Sequence, residues 1–123
     1  MVLIYVGIGG AVGSICRYLL SLIPIQSSFP LITLVTNFIG AIFIGIIVEG
    51  AASFTFPQSA MPLLKTGFCG GFTTFSTFSL ETITLMETGQ YLIGGAYAFL
   101  SFLLCLTGVI LGKGIVHVMH SVF

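Results

Sequence analysis

Four apolar segments, each close to the length needed to cross a lipid bilayer, account for most of this chain. They cover about residues 2–23, 30–54, 61–86 and 91–118, and a transmembrane helix needs roughly 20 residues. Only 5% of the residues are charged, whereas about a quarter are charged in a typical soluble domain. The sequence therefore predicts an all-α membrane protein: a single multi-pass domain over residues 1–123, with four transmembrane helices.

Several other classes of protein are excluded by composition and spacing. The formal net charge is zero, so no basic patch is available to neutralise the phosphates of a nucleic acid. Cys16, Cys69 and Cys105 lie in apolar runs without a C-x-x-C pair and are interpreted as packing residues. His117 and His120 have no carboxylate or cysteine at ligand spacing along the chain. We therefore predict that the protein is not an enzyme.

The third apolar segment contains a stretch that is poorly suited to an uninterrupted helix. Residues 67–79 read G-F-C-G-G-F-T-T-F-S-T-F-S, with paired glycines followed by hydroxyl residues. A break in a membrane helix is tolerated only inside protein or beside a watery cavity, because freed backbone groups need partners there. Broken helices are also how transporters build their ion and substrate sites. The sequence predicts that this helix is broken near residues 70–74 and that the break carries the function.

The few charges predict little preference for one orientation in the membrane. Lys65, Lys113 and Glu49 fall near the edge that the two termini share, and Arg17 and Glu81 fall toward the opposite edge. Counting only Lys and Arg gives a small difference between the edges, which is a weak basis for orientation under the positive-inside rule. The chain is therefore predicted to insert in both orientations and to form pairs of oppositely oriented copies.

Small residues at four-residue spacing predict close helix packing. The pairs Gly9 with Gly13, Gly10 with Ser14, and Gly108 with Gly112 each place two small residues on one helix face, which lets helix backbones approach in lipid. Packing within the chain and packing between chains both fit this pattern. Oligomerisation is favoured because four short helices are too few to enclose a conduction pathway.

Two polar side chains stand out inside the first and second spans. Asn37 follows Thr33 by four residues, so both project from one helix face. Interhelical hydrogen bonding and a place in a conduction pathway remain equally open for Asn37. Arg17 lies close enough to its helix end to extend toward the interface, but a charge within a span is by default a functional-site hypothesis. An anion-attracting role is favoured for Arg17.

After the predicted break, polar and aromatic residues follow neighbouring stripes of the third span. Thr77, Glu81 and Thr84 recur at helical spacing, while Phe72, Phe75 and Phe78 recur every three residues. The ordinary interpretation of such phenylalanines is lipid contact or core packing. However, the positive edge of an aromatic ring can also face an anion. A pathway lined by ring edges, hydroxyls and an amide would suit a small, hard anion. Glu81 is then predicted to lie at a mouth of this pathway or to bond to a neighbouring donor.

Three motifs together resemble the CrcB/Fluc family of fluoride channels, four-span proteins that export fluoride from microbes. They are G-G-A-V-G-S-I-C-R-Y at 9–18, T-L-V-T-N at 33–37 and G-F-C-G-G-F-T-T-F-S-T-F-S-L-E at 67–81. The resemblance implies an antiparallel, dual-topology homodimer with two fluoride pores, located in the cell's inner (plasma) membrane. It also implies a structural sodium ion at the dimer interface, bound by the backbone carbonyls of Gly70 and Thr73 of both subunits. The implied fluoride pathway comprises Asn37, Phe75, Phe78, Ser76, Thr77 and Ser79, with Arg17 in the first span and Glu81 near a mouth; Thr33 joins it from the face it shares with Asn37.

The favoured function is thus passive fluoride conduction that lowers the cytoplasmic concentration. One alternative is a small multidrug-type exporter, also a four-span dual-topology dimer, which needs a membrane-embedded carboxylate to exchange protons. The first span carries Arg17 and no acid, which disfavours this alternative. The other alternative is a non-transporting membrane subunit in which the break in the third span is only a packing kink.

Overall fold

The computed structural model describes residues 1–122, and over that range the chain is helical without a β-strand. Three helices, α1, α2 and α5, are long and apolar enough to cross a membrane, which confirms the prediction of an all-α, multi-pass membrane protein. The elements in chain order are α1 (Val2–Ser21), α2 (Leu31–Ser53), a π-helical segment (Pro62–Cys69) continuing into α3 (Gly70–Phe72), α4 (Phe75–Glu87) and α5 (Tyr91–Val122).

The ends of these helices follow from proline and glycine. Pro30 caps α2 and Pro62 opens the π-helical segment, where the missing N–H of proline costs no helical hydrogen bond. Gly89, with φ 79°, reverses the chain between α4 and α5 in a left-handed conformation that glycine adopts without strain. The last helix runs to Val122, beyond the end near residue 118 that the apolar pattern predicts.

Helix α1 packs backbone to backbone against the π-helical segment and α3. A Cβ atom added at Gly9 would lie 2.9 Å from the Phe68 nitrogen, and one at Gly13 would lie 2.8 Å from the Phe72 nitrogen. On the facing element, a Cβ at Gly67 would lie 2.9 Å from the Cα of Gly9. The first of the small-residue pairs therefore serves a contact within the chain, which brings α1 directly against the residues before the break.

The pair Gly108 and Gly112 joins α5 to α2. A Cβ atom added at Gly112 would lie 2.9 Å from the Ile46 nitrogen, and one at Gly108 would lie 3.1 Å from the Phe38 oxygen. Further along the same two helices, Glu49 of α2 pairs with Lys113 of α5, with Oε2 to Nζ at 3.2 Å. His117 Nε2 lies 3.3 Å from the other carboxylate oxygen of Glu49.

A small core holds α4 against α2 and α5. Leu34 of α2, Leu85 of α4 and Tyr97 of α5 are buried together, and Phe78 packs against them. Most large apolar side chains instead point outward, such as Leu3 and Leu92, each 86% exposed. Outward apolar side chains on long apolar helices are expected where lipid is the solvent. This core places α4, which begins directly after the break, beside α2 and α5.

Candidate functional site

The helical path between Pro62 and Glu87 is interrupted at Thr73 and Thr74, both extended, with ψ 156° and 116°. Thr73 Oγ1 donates to the Cys69 carbonyl at 2.8 Å. Thr74 Oγ1 accepts from the Thr77 nitrogen at 3.2 Å and so caps α4. The hydroxyl residues thus provide hydrogen-bond partners for backbone groups on both sides of the break. Gly70 and Gly71 are still helical, so within the predicted range 70–74 the interruption falls on the hydroxyl residues.

Asn37 links α2 to the extended backbone at the break through two hydrogen bonds. Its Oδ1 accepts from the Thr74 nitrogen at 2.8 Å, and its Nδ2 donates to the Thr74 carbonyl at 3.0 Å. One turn along α2, Gly40 leaves room for the Thr73 side chain. The amide nitrogen carries two hydrogens and the bond to Thr74 uses one of them. Asn37 is therefore a structural bridge that retains donor capacity.

Three carbonyls around the break lose the partner that a continuous helix would give them. In a continuous helix the Thr74 N–H would donate to the Gly70 carbonyl, but here it donates to Asn37 Oδ1. The Thr77 N–H would likewise donate to the Thr73 carbonyl, but it donates to the Thr74 hydroxyl. The Gly71 carbonyl accepts from Arg17 Nε at 3.1 Å. The break thus releases carbonyl oxygens in two directions, one toward Arg17 and the other toward the face that carries Gly70.

Glu81 sits between two hydroxyl donors on other helices. Thr33 Oγ1 of α2 donates to Oε1 at 2.8 Å, and Tyr97 Oη of α5 donates to Oε2 at 2.6 Å. Tyr97 is fully buried, and its ring packs against Phe78 with centroids 5.3 Å apart. Tyr97 is not among the residues predicted from the sequence, although a tyrosine within an apolar span is a signal, because a buried phenol needs a hydrogen-bond partner.

The three phenylalanines of the predicted stripe separate into two groups. Phe75 and Phe78 contact each other with centroids 5.4 Å apart, and Phe75 is 79% exposed. Phe72 lies before the break, is buried, and stacks on Phe68 at 5.6 Å. Because the interruption resets the helical register, a spacing of three residues across it does not place Phe72 on the same face.

The predicted hydroxyl residues also have different surroundings. Thr77 and Thr33 line a cavity of about 50 Å³ together with Arg17 and Thr74. Ser76 is exposed, with Oγ 3.3 Å from the Thr74 hydroxyl. Ser79 donates to the Phe75 carbonyl at 2.9 Å, which leaves its oxygen as an acceptor. Arg17 and these threonines therefore share one cavity, whose lining does not include Ser76 or Ser79.

An apolar groove of about 620 Å³ lies on the side of the chain where Gly70 is exposed. Gly70 has φ −63°, so its conformation does not require glycine. A Cβ added there would meet no heavy atom of residues 1–122 within 4 Å, neighbours in its own helix aside. The break lines the floor of this groove, whose lining includes Asn37, Gly70, Thr73, Thr74 and Phe75.

Comparison with known proteins shows the family. Residues 4–113 match the family described as CrcB-like protein, Camphor Resistance (CrcB). Three relatives carry the name Fluoride-specific ion channel FluC. The relative from Ruminiclostridium cellulolyticum is 44% identical over 88% of this chain and 86% of its own. The relative from Roseiflexus is 40% identical over 97% of this chain and 99% of its own. The relative from Chlorobium phaeobacteroides is 49% identical over 75% of this chain and 74% of its own. The matched region contains the break and every side chain that bonds to it.

Proposed function

This chain belongs to the CrcB-like family, and we infer from that membership that it is a fluoride-specific ion channel, the function named for its relatives. It is a multi-pass membrane protein of the plasma membrane, and a channel rather than an enzyme. Passive conduction lets fluoride leave the cell down its electrochemical gradient and lowers its cytoplasmic concentration. The polar break within an apolar helical protein is the observation that carries the assignment to this part of the molecule.

The fluoride pathway runs along the start of α4, by this proposal. Asn37 keeps one amide hydrogen for an anion, and the adjacent Phe75 and Phe78 offer positive ring edges. The hydroxyls of Ser76 and Thr77 supply further donors, with Arg17 beside Thr33 and Thr77. The hydroxyls of Ser79 and Thr33 already donate to the Phe75 carbonyl and to Glu81, so these two residues line the pathway without donating to the anion. Glu81 is held at one side by Thr33 and Tyr97, which disperses its negative charge through hydrogen bonds. Neutral donors at the narrowest point let a small anion bind and leave.

The fourth membrane crossing is the interrupted segment from Pro62 to Glu87. Its length matches the other spans, and its freed backbone groups have partners on α1 and α2. With four crossings the Lys and Arg residues divide almost evenly between the two edges. This supports a dual-topology homodimer, two antiparallel copies meeting at the groove that carries the exposed Phe75 and Gly70. A two-fold axis places the same residues of both copies at one interface.

The dimer axis also suits a structural sodium ion bound by the Gly70 and Thr73 carbonyls. Both oxygens lack the donor that a continuous helix would supply, since the N–H groups of Thr74 and Thr77 bond elsewhere. Neutral carbonyl oxygens are ligands that hard cations accept, and Gly70 is exposed on the groove. The donor set therefore fits the ion. Its charge would offset part of the cost of bringing an anion into a low-dielectric region.

Fluoride efflux from liposomes tests the function. Purified protein should release trapped fluoride when a potassium ionophore supplies the balancing charge, at a rate that does not depend on a pH gradient. Efflux that requires a proton gradient would indicate an exchanger instead. The absence of any efflux from folded protein would leave only a non-transporting subunit. Liposomes without protein provide the baseline for leakage.

Biasing the insertion of the chain should remove most of its activity. Lysines at Gln26, Ser27 and Ser28, in the loop between α1 and α2, should hold that loop on the cytoplasmic side. Nearly all copies then share one orientation and cannot form antiparallel dimers. Fluoride efflux from cells should fall, and it should return when a copy with lysines at the opposite edge is co-expressed. Asparagine at the same positions is the control, and full activity from a uniformly oriented population would contradict the antiparallel dimer.

Gly70→Val should block assembly without unfolding the single chain. Its φ is ordinary and its Cβ meets nothing within 4 Å outside its own helix among the described residues, so α-helical circular dichroism should be unchanged. In the dimer, the added methyl groups would crowd the axis where both copies of Gly70 meet. We expect a monomer on size exclusion and loss of fluoride efflux. The matched control is Gly114→Val, a similarly open site on α5, and a Gly70→Val dimer with normal efflux would contradict this interface.

A further inference from the structure

The carbonyl oxygens released at the break are divided between two sides of the segment. On one side, the Gly71 carbonyl accepts from Arg17 Nε at 3.1 Å, with Ser14 Oγ at 3.5 Å. On the other side, the carbonyls of Gly70 and Thr73 have lost their helical donors. A helix end carries a partial negative charge on such carbonyls. The Arg17 guanidinium therefore binds the Gly71 oxygen, while the oxygens of Gly70 and Thr73 remain available to a different cation.

We propose that Arg17 is a positioning residue: it fixes the Gly71 carbonyl toward α1 and thereby orients the Gly70 and Thr73 carbonyls for the cation at the dimer axis. The proposal rests on the proposed function and on the sodium site inferred there. It assigns Arg17 a role through the backbone, whereas its position in a span suggested an anion-attracting role. Arg17 acts on the peptide units that the cation site shares, and not on the fluoride ion itself.

Close packing of α1 makes this orientation rigid. Gly13, one turn before Arg17, has its Cα against the backbone of Phe68 and Phe72. Gly71 itself abuts α1, where an added Cβ would lie 3.0 Å from Ser14 Oγ. The half-buried guanidinium is thus attached to a helix that cannot slide without displacing α3. Since α3 contains only Gly70–Phe72, rotating the Gly71 peptide would reorient its neighbours on both sides.

Removing the guanidinium should therefore change the response to sodium. In Arg17→Gln, the charge is gone and the Gly71 carbonyl loses its charged donor. The peptide units around it are then free to turn, so the two carbonyls on the groove side are less well placed. An anion-attracting role makes a different prediction. In that case the loss of Arg17 would raise the fluoride concentration needed for half-maximal flux and leave the sodium response unchanged.

The experiment measures thermal unfolding of the purified protein against sodium concentration, with N-methyl-D-glucamine as the replacement cation. Wild type should be stabilised by sodium. The sodium concentration for half-maximal stabilisation should rise about tenfold in Arg17→Gln. In Arg17→Lys, which keeps the charge but not the planar fork, it should rise about threefold. Lys113→Gln, which removes a cation paired with Glu49, controls for net charge and should match wild type.

The outcomes separate this inference from the channel assignment. A sodium midpoint in Arg17→Gln equal to that of wild type overturns the inference, as does a wild type that sodium does not stabilise. If Arg17→Gln does not fold, Arg17→Lys decides, and a midpoint equal to that of wild type counts against the proposal. Fluoride efflux at saturating sodium is measured in parallel. A raised fluoride midpoint with an unchanged sodium midpoint would assign Arg17 to anion attraction, while a wild type that conducts no fluoride would refute the channel alone.

Discussion

Asn37→Ala should lower fluoride efflux at least tenfold and destabilise the break. The side chain satisfies both the N–H and the C=O of Thr74, and each buried backbone group left without a partner costs about 1–3 kcal/mol. The mutation also removes the amide hydrogen assigned to the fluoride pathway. Efflux is compared per folded dimer, so that loss of conduction is measured separately from loss of protein.

The control for Asn37 is Thr107→Ala on α5. Thr107 donates to the Leu104 carbonyl of its own helix and is exposed, so truncation removes an intramembrane hydroxyl that does not bond to the break. Its efflux should stay close to wild type. Normal efflux from folded Asn37→Ala dimers would show that neither the bridge to Thr74 nor the remaining amide hydrogen is needed for conduction.

Gly13→Val should prevent the chain from folding into a stable protein. A Cβ at this position would overlap the Phe68 carbonyl and lie 2.8 Å from the Phe72 nitrogen, and backbone atoms cannot move aside as a flexible side chain can. Overpacking of this kind costs about 3 kcal/mol. Separation of α1 from α3 would also break the bond from Arg17 to Gly71. The measurement is the yield of monodisperse protein and its melting temperature.

Gly7→Val on the same helix is the matched control. A Cβ at Gly7 would meet no heavy atom of residues 1–122 within 4 Å, its own helix aside, so this variant should match wild type in yield and melting temperature. A Gly13→Val variant as stable as Gly7→Val would contradict the close packing of α1 against the backbone of Phe68 and Phe72. The pair therefore separates a helix contact from a general intolerance of valine in α1.

The sequence predicts the helices better than it predicts the site. The bilayer thickness sets the length of an apolar span, and α1, α2 and α5 have the length and apolarity that such spans require. The glycine pair and the hydroxyl residues after it predict an interruption near residues 70–74, and within that range the extended residues are Thr73 and Thr74. Glycine in this chain mainly permits close packing against α1, whereas the threonines end and restart the helix because their hydroxyls serve the backbone.

Long-range partners were beyond the reach of sequence periodicity. The spacing of Thr33 and Asn37 correctly places them on neighbouring positions of one helix, yet they bond to different elements, Glu81 on α4 and Thr74 at the break. The residues around Tyr97 in the sequence do not indicate that it bonds to Glu81, which lies on another helix. Such contacts depend on which helix faces meet, and that is decided by the packing of small residues from several helices at once.

The most direct test of the central claim is the reversal potential of current through the purified protein in a planar bilayer. With a fluoride gradient and chloride as the other anion, the account predicts a current that reverses at the fluoride equilibrium potential. This potential moves by about 59 mV for each tenfold change in fluoride. It should not shift when a pH or sodium gradient is imposed. A reversal potential that follows the proton or sodium gradient would contradict passive fluoride conduction and indicate coupled transport.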